Sequence, residues 1–261
     1  MIFPERQIAV EGYGAVLQAV VCGEVSQGDC VVMCYPLFEE RKHVQRAYVS
    51  LARALARRSI ASIRFDYFAC GNSPGRFDEA TLSQWVCDTI AVMDVVAAWR
   101  PGRVMAMGLR MGANIALAAA QARETCQGLL LWNPVGDTRV YLAGEYRRNG
   151  IRDMLYSAGG PKPSAPQAHD QVHDIAGYPV GGGLIGELQS GILNVSEPPS
   201  PAERIRWGVI GSTGAMSIAS MSMGGLEAIR AGGSPFWQTS DGGDFDGFVS
   251  LSVEHFAGWA D

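Results

Sequence analysis

Short apolar runs that alternate with amphipathic stretches constrain the fold of this 261-residue chain more than any other feature. Four runs predict strands, and they are residues 29–36, 60–67, 102–108 and 128–136; the first is continuously apolar, as a parallel strand buried on both faces should be. Stretches with apolar side chains three and four residues apart predict helices, and they are residues 44–59, 82–100 and 115–123. The alternation predicts the α/β class, with a mostly parallel, doubly wound sheet.

The two ends of the chain extend this series. The first thirty residues alternate in polarity and turn at glycines, which predicts an opening antiparallel hairpin. Near the carboxyl end the pattern predicts a strand, a helix, a last strand and a closing helix, at residues 204–212, 216–232, 234–241 and 248–259. Between them, a segment rich in Gly, Pro, Ser and Gln breaks the regularity from about Asp137 to Glu203, which predicts a lid.

One strand-to-helix turn in the series carries a charged side chain at its tip. The sequence Gly-Leu-Arg-Met-Gly-Ala-Asn at 108–114 lies between a predicted strand and a predicted helix, with Arg110 at its tip. A guanidinium there would lie beside the amino end of a helix, where the helix dipole and unpaired N–H groups favour anions. The turn therefore predicts an electropositive spot at the edge of the sheet.

Five motifs make the chain similar to the α/β hydrolases and, within them, to the exosortase A system-associated hydrolases, type 2, which are found with bacterial exopolysaccharide and protein-sorting loci. The motifs are YPLFEERKH at 35–43, FDYFACGNSPGRF at 65–77, GLRMGANIALA at 108–118, IAGYPV at 175–180 and PFWQT at 235–239. The resemblance covers essentially the whole chain. It implies an α/β-hydrolase fold with a core formed by residues 1–136 and 204–261, and a lid or cap inserted at 137–203.

The resemblance also implies where an oxyanion hole would lie. In such folds one backbone N–H comes from the residue after the turn and another from the loop after the first parallel strand. Here these donors would belong to Met111 and to Leu37 or Phe38. Backbone donors do not depend on the side chain at position 110.

The serine triad of this fold, in contrast, is expected to be missing. The family places its nucleophilic serine at the turn occupied here by Arg110, and an arginine in a protein cannot be deprotonated to attack. The turn at 211–214 has no carboxylate, so Asp137 after the preceding strand is the nearby substitute. The turn at 238–245 has no histidine.

The four histidines offer weak alternatives. His255 in the predicted terminal helix is a candidate for a displaced base, although a surface or core histidine is the simpler interpretation. His169 and His173 have the spacing of a helical metal pair, but Gly and Pro surround them, so a solvated lid loop is favoured. We expect neither a metal nor a cofactor.

The positive charge of Arg110 favours a neighbouring anion, and the facing loop carries two carboxylates, those of Glu39 and Glu40. We predict that Arg110 faces Glu39 or Glu40 across the pocket, either as a pair that only locks two loops or beside a bound ligand. In the second case Glu39 or Glu40 would act as a general base. Cys70 is a further candidate, because a thiol near a cation acquires a lower pKa, although a cysteine packed in a tight turn is the simpler interpretation.

Composition and charge argue against nucleic-acid and membrane partners for this protein. The net charge of −5 and a pI near 5.4 provide no basic surface for nucleic acid. No apolar run approaches the roughly 18 to 20 residues that span a bilayer, and the amino terminus lacks the regions of a signal peptide. The six cysteines have no paired CxxC spacing, so we expect reduced thiols in a cytoplasmic protein. The oligomeric state stays open.

Two functions remain after these exclusions. The first is an acyl hydrolase or transferase, acting on esters or thioesters, with a non-standard triad in which Arg110 takes the nucleophile position and the catalytic candidates are Arg110, Glu39, Glu40 and Cys70. The second is a catalytically inactive pseudo-hydrolase whose small acyl or anionic ligand contacts Leu37, Phe38, Met111 and Asp137. A dinucleotide site at 208–214 is disfavoured because its glycine spacing is wrong and no second mononucleotide half follows.

Overall fold

The computed structural model describes residues 4–25, 28–156, 172–195, 206–212, 227–231 and 245–257. Its main element is an eight-stranded sheet of order β1-β2-β4-β3-β5-β6-β9-β10. Its strands are β1 (Glu5–Glu11), β2 (Val16–Cys22), β3 (Cys30–Cys34), β4 (Ala61–Phe65), β5 (Val104–Leu109), β6 (Cys126–Trp132), β9 (Arg206–Ser212) and β10 (Glu227–Ala231). All pairs are parallel except β1 with β2 and β2 with β4. The predicted class and the opening hairpin are confirmed.

Helices cover the sheet, and a small hairpin stands apart from it. The helices are α1 (Phe38–Ala56), α2 (Leu82–Ala98), α3 (Met111–Ala122), α4 (Thr138–Tyr156), α5 (Gly182–Ser190) and α6 (Phe245–Ala257), and the hairpin is β7 (His173–Ile175) with β8 (Tyr178–Val180). The right-handed crossovers of parallel strands place α1 on one face and α2 and α3 on the other, because the connection through α1 runs toward the β1 edge. Contacts of α2 with α3, and of α1 with α6, agree with this arrangement.

The strand order reverses between β3 and β5. From β3 the chain runs through α1 to β4 on one side, and the next unit returns through α2 to β5 on the other. In open parallel sheets the crevice at such a switch point, outside the carboxyl ends of the strands, is where ligands bind. The loop after β3 and the turn after β5, which holds Arg110, therefore meet at this crevice.

Two glycines make that close meeting possible. A Cβ on Gly108 would lie 2.1 Å from the carbonyl oxygen of Gly112, and a Cβ on Gly112 would lie 2.5 Å from the carbonyl oxygens of Cys34 and Tyr35. The amino end of α3 thus packs directly against the backbone where β3 leads into α1. No side chain larger than hydrogen fits at either position without moving backbone.

The inserted segment after β6 is more regular than its composition predicts. The expectation of irregular chain is wrong for 138–156, which forms α4, and for 182–190, which forms α5. On α4, buried Tyr141 and Leu142 are followed along the same face by buried Glu145 and Asn149, so the stripe is partly polar and its periodicity is hidden. The Asn149 side chain hydrogen-bonds the β7–β8 turn, 3.1 Å from the carbonyl oxygen of Asp174 and from the Ala176 N–H.

Near the carboxyl end, one predicted helix is wrong over its last turns. Residues 227–231 form β10, parallel to β9, where the sequence pattern favoured the end of a helix at 216–232. The pair Gly224 and Gly225 interrupts that pattern just before the strand and is unfavourable inside a helix. The last strand expected at 234–241, with its PFWQT motif, lies outside the described residues. The closing helix is confirmed as α6.

We predict that Gly112→Ala destabilises the protein by about 2 to 3 kcal/mol, because its methyl group would overlap two carbonyl oxygens that belong to the core. Gly144→Ala in α4 is the matched control. A Cβ there meets nothing within 4 Å, so the variant should gain about 0.5 to 1 kcal/mol from lower backbone entropy in the unfolded chain. Urea unfolding measures both, and a Gly112→Ala variant as stable as wild type would contradict the packing described here.

Candidate functional site

Arg110 forms a strained turn between β5 and α3. Its backbone has φ 54° and ψ −126°, a conformation that costs energy for any residue with a Cβ and that persists only where the surroundings enforce it. The Arg110 N–H donates to the carbonyl oxygen of Trp132 at 2.9 Å, which ties the turn to the end of β6. The position therefore presents its side chain at the carboxyl edge of the sheet.

The side chain of Arg110 binds Glu40 on the facing helix. The Arg110 Nε donates to Glu40 Oε1 at 3.3 Å, and Nη1 lies 3.5 Å from the carbonyl oxygen of Asn133. The carboxylate side chain is only 9% exposed and the guanidinium side chain 22%. The predicted juxtaposition of Arg110 with Glu39 or Glu40 is thus present, and its partner is Glu40.

The start of α1 explains why Glu40 is chosen over Glu39. The helix begins at Phe38, six residues before the predicted start, so both glutamates lie in its first turn, where acidic side chains suit the helix dipole. Successive helical residues point about 100° apart. Glu40 is directed inward, whereas Glu39 pairs with Lys42 at 2.8 Å on the outside.

Tyr141 on α4 contacts both members of the Arg110–Glu40 pair. The Tyr141 hydroxyl donates to Glu40 Oε2 at 3.4 Å, and the Arg110 guanidinium carbon lies 5.7 Å from the centre of the Tyr141 ring. That ring stacks on Phe38 at 6.5 Å, and Phe38 also contacts Tyr178 at 5.7 Å. The ion pair therefore lies beside an aromatic cluster formed by Tyr141, Phe38 and Tyr178.

Burial dominates the electrostatics of Glu40. Removal from water raises the pKa of this carboxyl, and the nearby Arg110 and Arg148, with hydrogen bonds from Arg110 and Tyr141, partly oppose the rise. Arg148 itself pairs with the buried Glu145 on α4. The site is a chain of charges that links α1, the turn and α4, in which Glu40 and Glu145 are buried and Arg148 is exposed.

The structure adds residues that the sequence pattern did not indicate. Tyr141, Arg148 and Glu145 all belong to α4, whose helical periodicity was hidden by its polar stripe. The fourth is Asn133, which follows β6 at the same edge and has φ 45°. The WNP sequence at 132–134, directly after a buried strand, was the available signal for it.

The expected oxyanion donors lie at the amino ends of two helices. Met111 is the first residue of α3, and Leu37 and Phe38 are the amino-terminal cap and first residue of α1. The N–H groups of a helix's first turn have no acceptor within the helix, so two sets of donors converge at the crevice. Their use by a ligand stays a prediction.

Cys70 lies away from Arg110, in the loop after β4, beside Arg41 and Asp66. Burial raises the pKa of its thiol to about 12, with Arg41 partly opposing the rise. The expectation of a depressed pKa is wrong, because the thiol is desolvated and the guanidinium near it is already paired with Asp66. A thiol in this state is a packed side chain and a poor nucleophile.

The remaining candidates are spread over the surface and the other helices. Asp137 is exposed before α4, where it accepts from the Arg139 N–H at 2.8 Å, and hydrogen bonds from Arg139 lower its pKa. His43 is exposed on α1, and His255 is buried on α6. His173 belongs to the β7 strand, which excludes the helical metal pair at that end, whereas His169 lies outside the described residues.

Comparison with known proteins identifies the fold. The family model of the S33 serine aminopeptidases matches residues 41–158, which is less than half of the chain. No curated protein sequence matches. Helices long and apolar enough to cross a bilayer do not occur in the part of the chain that the structure describes.

Solved structures match along nearly the whole chain. Est1E from Butyrivibrio proteoclasticus with bound ferulic acid is 15% identical, with a TM-score of 0.66 over 95% of this chain and 97% of that one. A serine hydrolase without lid from Xanthomonas campestris is 19% identical, with a TM-score of 0.58 over 98% and 97%. A serine hydrolase homologue from Coxiella burnetii is 15% identical, with a TM-score of 0.57 over 96% of each chain. The chain is an α/β-hydrolase-fold protein.

We predict that Arg110→Gln destabilises the protein by about 3 kcal/mol at neutral pH, because it leaves Glu40 buried without its cation. A carboxyl whose folded-state pKa lies above its unfolded value stabilises the folded state at low pH, and that contribution is lost as the pH rises through the folded-state pKa. Removing Arg110 raises the pKa of Glu40 further. The loss should therefore be smaller near pH 5 than at pH 8.

Urea unfolding at both pH values measures this loss, with Arg139→Gln as the control. Arg139 forms an exposed pair with Asp137, so its removal should change stability little at either pH. An Arg110→Gln loss that does not depend on pH would contradict an ionised, buried Glu40.

We predict that Cys70 reacts with iodoacetamide far more slowly than an ordinary thiol at pH 8. Its raised pKa lowers the thiolate population at this pH, and the thiolate is the species that reacts. Peptide mapping after timed alkylation of the folded protein measures the rate, and the urea-unfolded protein is the control. Labelling of folded Cys70 at the unfolded rate would contradict the burial of this thiol.

Proposed function

We propose that this protein is a non-hydrolysing member of its fold, which binds a small acyl or anionic ligand at the carboxyl edge of the sheet. The observation that carries the proposal is the buried pair of Arg110 and Glu40 at the place of the nucleophile. Arginine carries no lone pair for attack while it is protonated, and it stays protonated in proteins. Glu40 and Tyr141 hold it in place.

The surroundings of the pair supply the chemistry for binding. The backbone donors of Met111, Leu37 and Phe38 and the exposed fraction of Arg110 offer hydrogen bonds and positive charge to a carbonyl or carboxylate oxygen. The ferulic acid bound to Est1E supports a small-molecule ligand on this fold. We further propose that residues 137–203 form a lid over this site and that Asp137, at the start of the lid, contacts the ligand. We also propose that the protein is cytoplasmic and belongs to the exosortase-associated hydrolases that accompany exopolysaccharide loci.

One observation favours a second candidate, an acyl hydrolase or transferase without a covalent intermediate. The raised pKa of Glu40 suits a general base. In that case Glu40 would take a proton from the attacking water or alcohol as it adds to the acyl carbon, and would return that proton to the departing alcohol or thiol. Arg110 would stabilise the oxyanion. Glu39, which is exposed and paired with Lys42, is the weaker base candidate.

We predict that a fluorophosphonate probe leaves the intact mass of the protein unchanged and that p-nitrophenyl butyrate is hydrolysed no faster than in buffer. Arg110→Ala and Glu40→Gln should leave both results unaltered. Intact mass spectrometry and absorbance at saturating ester concentration make the measurements. Circular dichroism confirms that each variant is folded.

The two candidates separate in this experiment. Ester turnover in the wild type that disappears in Glu40→Gln but survives in Glu39→Gln would support the general-base enzyme and refute the binding protein. A stoichiometric probe adduct on any serine would refute both.

A further inference from the structure

A groove lies between α1, the loop after β4 and the β1–β2 edge of the sheet, next to the Arg110 turn, and Leu37 and Phe38 border both. Its volume is about 720 Å³, within the range of small-molecule sites. Its polar lining includes Arg64 on β4, Arg41 and Gln45 on α1, and Asp66 in the loop. Arg110 and Glu40 do not line it. A ligand there would not need to open the buried pair.

Arg64 gives the groove its charge. This side chain is only 9% exposed, and its Nη2 donates to Glu5 Oε2 at 3.2 Å. The other oxygen of the same carboxylate accepts from Arg53 Nε at 2.6 Å. The single carboxylate of Glu5 thus pairs with two guanidinium groups, those of Arg53 and Arg64. This cluster of three side chains therefore carries one net positive charge.

The donors of Arg64 are also incompletely used. Its Nε is buried and has no hydrogen-bond partner among the residues that the structure describes. A buried donor left unsatisfied costs free energy, and it marks the Arg64 guanidinium as incompletely hydrogen-bonded. The second guanidinium of the groove differs, because Arg41 is paired with Asp66, whose other oxygen accepts from the Asn72 N–H at 2.8 Å.

Aromatic rings form the apolar part of the same groove. Tyr35, Phe77 and Tyr178 all line it, and the rings of Phe77 and Tyr178 lie 5.1 Å apart. These rings offer flat apolar area to the body of a ligand, and the cations lie beside them, since the Arg41 guanidinium carbon is 5.1 Å from the centre of the Tyr35 ring. The groove therefore combines one unbalanced cation with an aromatic wall.

We propose that this groove binds a small organic carboxylate, whose anionic group meets the guanidinium of Arg64 and whose planar or apolar body lies against Tyr35, Phe77 and Tyr178. A monoanion matches the single unbalanced charge, whereas a phosphate dianion would bring one negative charge more than the groove balances. The carboxylate is held by Arg64 and not by Arg110, so the proposal stands whether or not a ligand contacts the turn, although Leu37 and Phe38 border both places.

Isothermal titration of the full chain at pH 7 with three matched probes tests the proposal. The probes are 3-phenylpropanoate, its neutral analogue 3-phenylpropanamide, and phenyl phosphate. We expect 3-phenylpropanoate to bind at least about tenfold more tightly than the amide, the size expected for a charge-assisted contact. Equal affinity of acid and amide, or no binding of the acid, would overturn the proposal. Tighter binding of phenyl phosphate would overturn the carboxylate assignment.

Variants locate the site. Arg64→Gln should weaken 3-phenylpropanoate binding about tenfold or more, and Glu5 keeps Arg53 as a partner in that variant. Gln45→Glu is exposed and isosteric, and it should weaken binding about threefold through like charge. Arg46→Gln removes an exposed guanidinium of the same helix outside the groove and should leave binding unchanged. Loss of binding in Arg110→Gln with none in Arg64→Gln or Gln45→Glu would move the carboxylate site to the turn and overturn the proposal.

Discussion

The buried ion pair between Arg110 and Glu40 is the interaction on which the rest of the site depends. It joins the turn after β5 to the first turn of α1, and both helices begin at this edge of the sheet. Desolvating two charges is expensive, and the cost is offset here by Tyr141 and by the charges of α4. The inserted segment is therefore part of the electrostatic balance of the core, not only a cover.

This balance explains how an α/β-hydrolase fold accommodates an arginine at the strained turn after β5. Gly108 and Gly112 keep the backbone close enough for the tight turn, whatever side chain it carries. The turn then presents a cation where this fold otherwise presents a nucleophile. On the other side of Phe38, the groove at Arg64 has its own charge and its own aromatic wall. Two guanidinium groups, Arg110 with Glu40 and Arg64 with Glu5, are thus held beside the loop after β3.

Sequence patterns predicted the sheet, the opening hairpin, the turn and the pairing of Arg110 with a glutamate, because each depends on local periodicity or on one uncommon residue. They did not predict Tyr141 in the site, since α4 buries Glu145 and Asn149 on its inner face and lacks a clean apolar stripe. The choice of Glu40 over Glu39 depended on the first residue of α1. The pKa of Cys70 depended on burial, which no spacing reveals.

A double-mutant cycle between Arg110 and Glu40 tests the central claim most directly. Unfolding free energies of the wild type, Arg110→Met, Glu40→Gln and the double variant give the coupling energy of the pair without the other effects of each change. A coupling of about 2 kcal/mol or more at pH 7 is the result predicted for a buried, ionised pair. A coupling near zero would mean that the two side chains act independently, and would contradict the account of this site.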